Sequence, residues 1–407
     1  MKNEKKIIIF TSVAHYFTHF YELLFPALAI PLVLSLKMDL TDVLKLSFLM
    51  YLLYGVGALP WGFFADRYGS SKSLVIFFLG TGMGSILTSF SDSQGGLIFT
   101  LAIIGFFASI SHPAGLGLIS IGVRNRGSAL GINGMAGNLG LMSAPFIAGL
   151  FNWLVGWELT FLLIGILSIL GGIATALVRI DETPLQGKPE KQESGPTNNN
   201  HYMKYFLILC AAMTLAGFAY RMNSIILPAY LEFKAGFLWN YLKDFDLSNL
   251  QGAKTMAATL LVSFVYIISA FGQLVAGKLA DRYDLRWLYF GFHAVSIPFV
   301  VSMGILNEQL LVIAASLYVF FALGMQPIEN SLVAKYTPKR WRSTSYGIKF
   351  ILTFGIGSLA VYIVGWIKNA YNLETVYFIS GTIVSGLALL VLFLIWSSRG
   401  TTCKNNE

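Results

Sequence analysis

The stretch GFFADRYG at residues 62–69 returns, altered, as GKLADRYD at residues 277–284. FFASISHPAG at 106–115 has a counterpart in FFALGMQPIE at 320–329. FPA at 25–27 falls opposite LPA at 227–229, and RGSALGI at 126–132 opposite RSTSYGI at 342–348. Four matches in the same order along the chain indicate a duplicated unit. Transporters whose site lies between two repeats are built this way.

Composition says where the duplicated unit sits. Of 407 residues, 56% are hydrophobic and 12% charged, with a mean hydropathy of +0.67. A soluble chain of this length could not hide so much apolar surface. Apolar runs fall near 7–36, 43–65, 73–90, 97–122, 128–153, 158–179, 204–232, 255–280, 287–306, 309–334, 343–368 and 372–396. Each is long enough for a helix to cross the hydrocarbon core. The expectation is an all-α membrane protein of twelve transmembrane helices in two pseudo-symmetric six-helix bundles. Between the sixth and seventh runs lies DETPLQGKPEKQESGPTNNN, 181–200, whose Pro, Gly and Asn content marks a linker. The expected division is an N-terminal bundle at 1–180, a cytoplasmic linker at 181–203, a C-terminal bundle at 204–398 and a cytoplasmic tail at 399–407.

The net charge of +8 is a topology signal. Lys and Arg gather in alternate connectors, as at Arg67 and Lys72, Arg124 and Arg126, Arg282 and Arg286, and Lys335 and Lys339. This positive-inside pattern places both termini in the cytoplasm of a protein of the cell (inner) membrane. Nucleic acid is not an expected partner. The first run is too long for a cleaved signal and carries His15, His19 and Glu22. Cys210 and Cys403 offer neither a disulfide framework nor metal-ligand spacing. No G-x-x-x-x-G-K-[ST] motif occurs, so no ATP chemistry, cofactor or resident metal is expected.

GFFADRYGSSKS resembles the signature after the second helix of the major facilitator superfamily, roughly G-x-L-A-D-R-x-G-R-K, and Gly277–Arg286 is its echo. Here Ser70 and Ser71 stand where the family has basic residues. The resemblance implies conformational gating by Gly62, Asp66, Arg67, Gly277, Asp281 and Arg282. Asp66 would meet the start of the eleventh helix near Arg342–Ser343, and Asp281 the start of the fifth near Arg126–Ser128. GLMSAPFIAG at 140–149 is similar to the antiporter element of that family, with Pro145 as a bend. Gly134, Gly137, Gly140 and Ala144 form a narrow stripe that permits close helix approach. YELLFPALAIP and the His-Pro of the fourth helix loosely resemble the fosmidomycin-resistance branch of efflux proteins.

Ionisable side chains inside spans usually face a cavity or each other, and they mark function by default. His15, His19 and Glu22 follow i, i+4, i+7 on one face. At about 1.5 Å per residue, His19 lies roughly 18 Å into the first helix and Glu22 roughly 22 Å. His112 on the fourth helix reaches a similar depth, while His15 stands nearer the interface. His19, Glu22 and His112 are therefore the expected proton-coupling groups. The second half supplies Arg221, Gln326, Glu329 and Lys349 as expected substrate-binding groups, with Arg suited to a carboxylate or phosphate. Glu329 and Lys349 could equally pair with each other. His293 reads as a packing residue and Glu158 as interfacial.

The expected function is secondary active transport by alternating access, as proton-coupled efflux of a small organic compound by a monomer. Proton-coupled uptake of an anionic metabolite and transport of a metal ion are alternatives. A membrane-embedded metalloenzyme is disfavoured, because H-x-x-x-H lacks the H-E-x-x-H glutamate.

Overall fold

The computed structural model describes residues 3–183, 199–245, 249–337 and 342–398, with side chains except at 126–127, 199–202 and 342–344. Among them the structure is all helical, with no strand. The elements are α1 (Asn3–Ala27), α2 (Ala29–Leu36), α3 (Leu40–Lys45), α4 (Phe48–Val56), α5 (Ala58–Tyr68), α6 (Ser70–Ser89), α7 (Gln94–Ala108), α8 (Ser111–Gly122) and α9 (Arg126–Leu177). From residue 199 onward follow α10 (Asn199–Lys234), which begins inside the expected linker range, α11 (Phe237–Leu242), α12 (Leu250–Ala280), α13 (Leu285–Met303), α14 (Glu308–Gly324), α15 (Gln326–Tyr336), α16 (Arg342–Phe350), α17 (Ala360–Ala370) and α18 (Leu373–Ser397).

Among the described residues, eight helices are long and apolar enough to cross a membrane, or ten if two bent pairs each count as one span. Those pairs are α1 with α2, bent by 46°, and the Leu40–Val56 stretch with α5, bent by 45°. Pro26 and Pro31 explain the first bend, since each removes a main-chain donor from the helical ladder. The expectation of twelve differs from this count at two places. The fifth and sixth apolar runs are two helices that meet at Gly156, whose φ of 88° suits glycine alone, and they are counted together as α9. The ninth run is α13, of 19 residues with Pro298 inside, which is not among the spans that qualify.

The fourth and tenth runs break at equivalent points. α7 gives way to α8 across Ser109 and Ile110, and α14 to α15 at Met325. Each break introduces the motif proline, Pro113 or Pro327. The eleventh run is irregular: a π turn at Ile351–Gly355 and a 3-10 turn at Ile356–Leu359 separate α16 from α17. Such π turns often accompany functional sites.

The end of the bundle carrying residues 3 and 398 is here the terminal end, and the opposite one the far end. At the far end both halves of the chain share one apolar core. Phe25, Leu44 and Tyr51 pack there with Ile226, Tyr230 and Val364. Towards the terminal end the halves have separate cores, one around Leu74, Phe77 and Leu118, the other around Leu209, Leu332 and Leu394. Polar ties follow the same division. At the far end Lys368 Nζ lies 2.6 Å from Asp39 Oδ1, and the Thr41 hydroxyl donates to Asn369 Oδ1 at 2.9 Å. Lys368 also holds the Asp39 carboxyl below its ordinary range. Towards the terminal end the cross-half tie is Asn138 Nδ2 to Gln273 Oε1, 2.9 Å, two to three helical turns inside.

Close approach of main chains depends on glycine where helices cross. A Cβ on Gly55 of α4 would lie 2.1 Å from the Gly355 main-chain nitrogen. One on Gly217 of α10 would lie 2.6 Å from the Thr353 Cα and carbonyl oxygen. Both contacts meet the irregular stretch between α16 and α17, so that stretch is clamped from two sides.

Candidate functional site

The interior polar groups converge where α1, α4, α8 and α10 meet. On α1 the spacing of His15, His19 and Glu22 gives a continuous chain. His15 Nε2 lies 3.1 Å from His19 Nε2, and His19 Nδ1 lies 2.8 Å from Glu22 Oε2. The other Glu22 oxygen faces α10: it accepts from the Tyr220 hydroxyl at 3.0 Å and from Arg221 Nη2 at 3.1 Å. At the opposite end, His15 Nδ1 donates to the main-chain oxygen of Asn133, 2.7 Å away on α9.

Neighbouring elements hold this chain in place. Tyr51 donates its hydroxyl to the Glu22 main-chain oxygen at 3.0 Å. Its ring lies 3.8 Å from the Arg221 guanidinium carbon, a cation–π contact. His112, on the first turn of α8, has Nε2 3.0 Å from the Tyr54 hydroxyl and stacks on Phe350 with centroids 4.8 Å apart. His112 also lies against His15 and His19, with centroid distances of 5.0 and 5.5 Å. The glycine stripe on α9 makes room for α1. A Cβ on Gly137 would stand 2.7 Å from His15 Cε1, and one on Gly140 would stand 2.3 Å from the Tyr16 carbonyl oxygen.

Burial sets the electrostatics. Arg221 is fully buried and Glu22 2% exposed, while the three histidines are half-buried. A buried charge pair is tolerated only when the geometry and surrounding hydrogen bonds are good. Glu22 meets that condition, with both carboxylate oxygens bonded. Arg221 meets it in part: its Nε and Nη1 have no partner among the described residues, nor does the nearby Tyr266 hydroxyl. The site therefore holds spare donors beside one guanidinium.

The structure brings His19, Glu22, His112 and Arg221 together and adds His15, which sits inside the cluster rather than nearer the interface. Glu329 and Lys349 pair with each other as a second unit that adjoins the cluster where Phe350 stacks on His112. Lys349 Nζ lies 2.8 Å from Glu329 Oε1, and Tyr289 donates to Glu329 Oε2 at 2.5 Å. Lys349 also donates to Asn330 Oδ1 at 2.6 Å. Gln326 opens α15, half-buried. His293 is buried edge-on against Tyr289, and Glu158 is exposed beside Gly156. Asp66, Arg67, Asp281 and Arg282 are exposed at the terminal end, Gly62 and Gly277 precede them on α5 and α12, and Pro145 lies within α9. The side chains at Arg342–Ser343 and Arg126, named as gating partners, lie outside the described residues.

Several contributors carried no sequence signal. The Asn133 carbonyl is main chain, and Tyr51 and Tyr54 read as two more aromatics in an apolar run. Glu182 is another. It accepts from Ser70 N at 2.8 Å and Ser71 N at 2.9 Å at the start of α6. A carboxylate suits that position, where the expected signature carried basic residues.

The chain is 24% identical to the riboflavin transporter RibZ of Clostridioides difficile, over 72% of each chain. It is 24% identical to the fosmidomycin resistance protein of Escherichia coli, over 82% of this chain and 79% of that one. A D-galactonate transporter of Escherichia coli is 22% identical over 84% of each. The fold is shared with solved transporters. A bacterial homolog of the human lysosomal transporter Spinster, inward-facing and unoccupied, gives a TM-score of 0.73 at 14% identity over 98% of this chain and 96% of its own. A POT family transporter in complex with a thioalcohol-conjugated peptide gives 0.77 at 13% identity over 98% and 100%. The family model described as Major Facilitator Superfamily matches residues 8–348 and 209–406. The chain belongs to that superfamily and is a multi-pass membrane transporter of a small molecule, not an enzyme.

Proposed function

We propose that the protein is a proton-coupled transporter of a small organic anion, working by alternating access between bundles 1–180 and 204–398. The observation that carries this reading is the Glu22–Arg221 pair across the two halves. Arg221 keeps spare donors, so an anionic substrate group and the Glu22 carboxylate compete for the same guanidinium. A proton on Glu22 ends that competition and frees Arg221. Proton and anion then bind together, and the pair reforms when both leave. His15 and His19 extend the chain from Glu22 towards the half-buried region and serve as the proton route. His112 supports them. Gln326, Glu329 and Lys349 contribute a second polar surface for substrate, and Asp66, Arg67, Asp281 and Arg282, with Gly62, Gly277 and Pro145, form the moving gate.

Joined cores at the far end and separate cores at the terminal end support a state closed on one side of the membrane. With the termini in the cytoplasm of an inner-membrane monomer, that state faces inward.

A second reading, outward exchange of the substrate for protons, is favoured by the placement of GLMSAPFIAG. Its Phe146 N–H donates to Ser263 Oγ of α12 at 3.0 Å, and Gly149 abuts Thr259. The antiporter-like element thus lines the seam between the halves.

Internal pH of liposomes holding the purified protein distinguishes these readings. Imposing an inward gradient of candidate organic anions should acidify the lumen under co-transport and alkalinise it under exchange. Glu22→Gln should abolish either signal. Anion flux without proton movement, or full coupling in Glu22→Gln, overturns the proton mechanism.

A further inference from the structure

We propose that His15, His19 and His112 form a binding site for one divalent transition-metal ion of the zinc, copper, nickel and cobalt class. One ring nitrogen from each lies within 4.8 Å of those of the other two. The proposal stands on the geometry of these three rings and does not rest on proton coupling.

The hydrogen bonds around the rings decide which atoms are free. The Asn133 carbonyl oxygen can only accept, so His15 must present Nδ1–H to it at 2.7 Å. A neutral His15 then has a bare lone pair at Nε2. An ionised Glu22 imposes the same tautomer on His19 through its Nδ1 contact at 2.8 Å. The two Nε2 atoms therefore face one position across 3.1 Å, which a shared proton or a metal ion fills. When that proton leaves, both lone pairs are open to a metal ion in its place. Two nitrogens bonded at about 2.0 Å to a tetrahedral ion stand roughly 3.3 Å apart. His15 and His19 thus already have the bite of a chelate at i, i+4, and His112 closes the set by an approach of about 1.5 Å.

The surroundings match what metal-binding histidines require. Such rings donate their second N–H to a carbonyl or carboxylate, which sets tautomer and orientation. Asn133 and Glu22 supply one of each. His112 is oriented by the Tyr54 hydroxyl and the Phe350 ring. All three rings keep some exposure, and the missing side chain of Gly137 leaves the space that the His15 ring occupies. The Arg221 and Lys349 charges are matched by Glu22 and Glu329 and do not stand unpaired against an incoming cation. Three imidazoles leave a fourth position for water, and they select borderline ions over Mg2+ or Ca2+.

The test uses the full-length protein in detergent, with any polyhistidine tag removed, titrated with CoCl2 and separately with CuCl2. One Co2+ per chain, displaced by Zn2+ and not by Mg2+, is expected. The Cu2+ electron paramagnetic resonance spectrum should carry couplings from imidazole nitrogens. His15→Gln/His112→Gln should weaken Co2+ binding at least tenfold while retaining the wild-type melting profile. Absence of saturable binding, an oxygen-only Cu2+ spectrum, or undiminished binding in the double variant overturns the proposal. If that variant fails to fold, the wild-type Cu2+ spectrum decides alone. None of these readouts involves transport, so their failure is separate from failure of proton coupling.

Discussion

Glu22 on α1 and Arg221 on α10 meet at 3.1 Å with side chains 1% and 0% exposed. The contact joins the two halves of the chain inside the bundle. Removing one partner leaves the other charge buried without compensation, which costs about 3–5 kcal/mol. Glu22→Ala and Arg221→Ala should each lower the melting temperature measured by intrinsic fluorescence. The double replacement Glu22→Gln/Arg221→Gln should recover part of the loss. Equal melting of Glu22→Ala and wild type would show that the pair contributes nothing.

Asp39 and Lys368 latch the far end. Asp39→Asn weakens that latch and should shift the population towards a state opened there. Spin labels at Lys37→Cys and Tyr371→Cys, in a background without Cys210 and Cys403, report the separation of the two segments. The Asp39→Asn distance distribution should gain a longer component, and an unaltered distribution would remove Asp39 from the gate.

Gly55 touches the Gly355 main chain, which cannot rotate aside. Gly55→Ala places a methyl group 2.1 Å from that nitrogen and should destabilise by about 1–3 kcal/mol through overpacking. Gly134→Ala is the internal control, because a Cβ there meets nothing within 4 Å. Thermal unfolding of the two variants side by side should separate them clearly.

Asp284 caps α13, accepting from Arg286 N at 2.8 Å. The Arg286 side chain holds its carboxyl down at about 2, below the roughly 3.9 of a free carboxyl. Its contribution is therefore complete above that ordinary value and is lost as pH falls towards 2. The melting advantage of wild type over Asp284→Asn should be full at pH 7 and shrink when measured at pH 3.

Asp66 has no ion pair among the described residues in this state, as a residue that engages in only one conformation would. Asp66→Asn should change the transport rate in liposomes while leaving expression and melting intact. An unchanged rate would confine Asp66 to a solvated loop.

Much of the architecture was legible in the sequence because membrane burial acts on long segments. A run of some twenty apolar residues has few alternatives to a helix in lipid. The echoed ADRY motifs and the Pro113/Pro327 pair tied one half to the other. Segment boundaries were less legible. The bends at Leu28 and Gly57, beside Pro26 and Pro60, fall within continuous apolar runs, whereas the break at Gly156 lies between the fifth and sixth runs as expected.

By itself the sequence determined that α1 carries His15, His19 and Glu22 on one face, since helical periodicity alone aligns i, i+4 and i+7. It also determined that titratable groups on other spans lie at comparable depth. Only the tertiary structure decided their partners. Glu22 could have faced Lys349, yet it faces Arg221, while Lys349 turns to Glu329. Depth along a helix is a property of one segment, whereas rotation about its axis is set by packing against its neighbours. Here Gly137, Gly140, Gly55 and Gly217 let main chains approach closely enough to choose that rotation. The site was thus composed locally and assembled by contacts far apart in the chain.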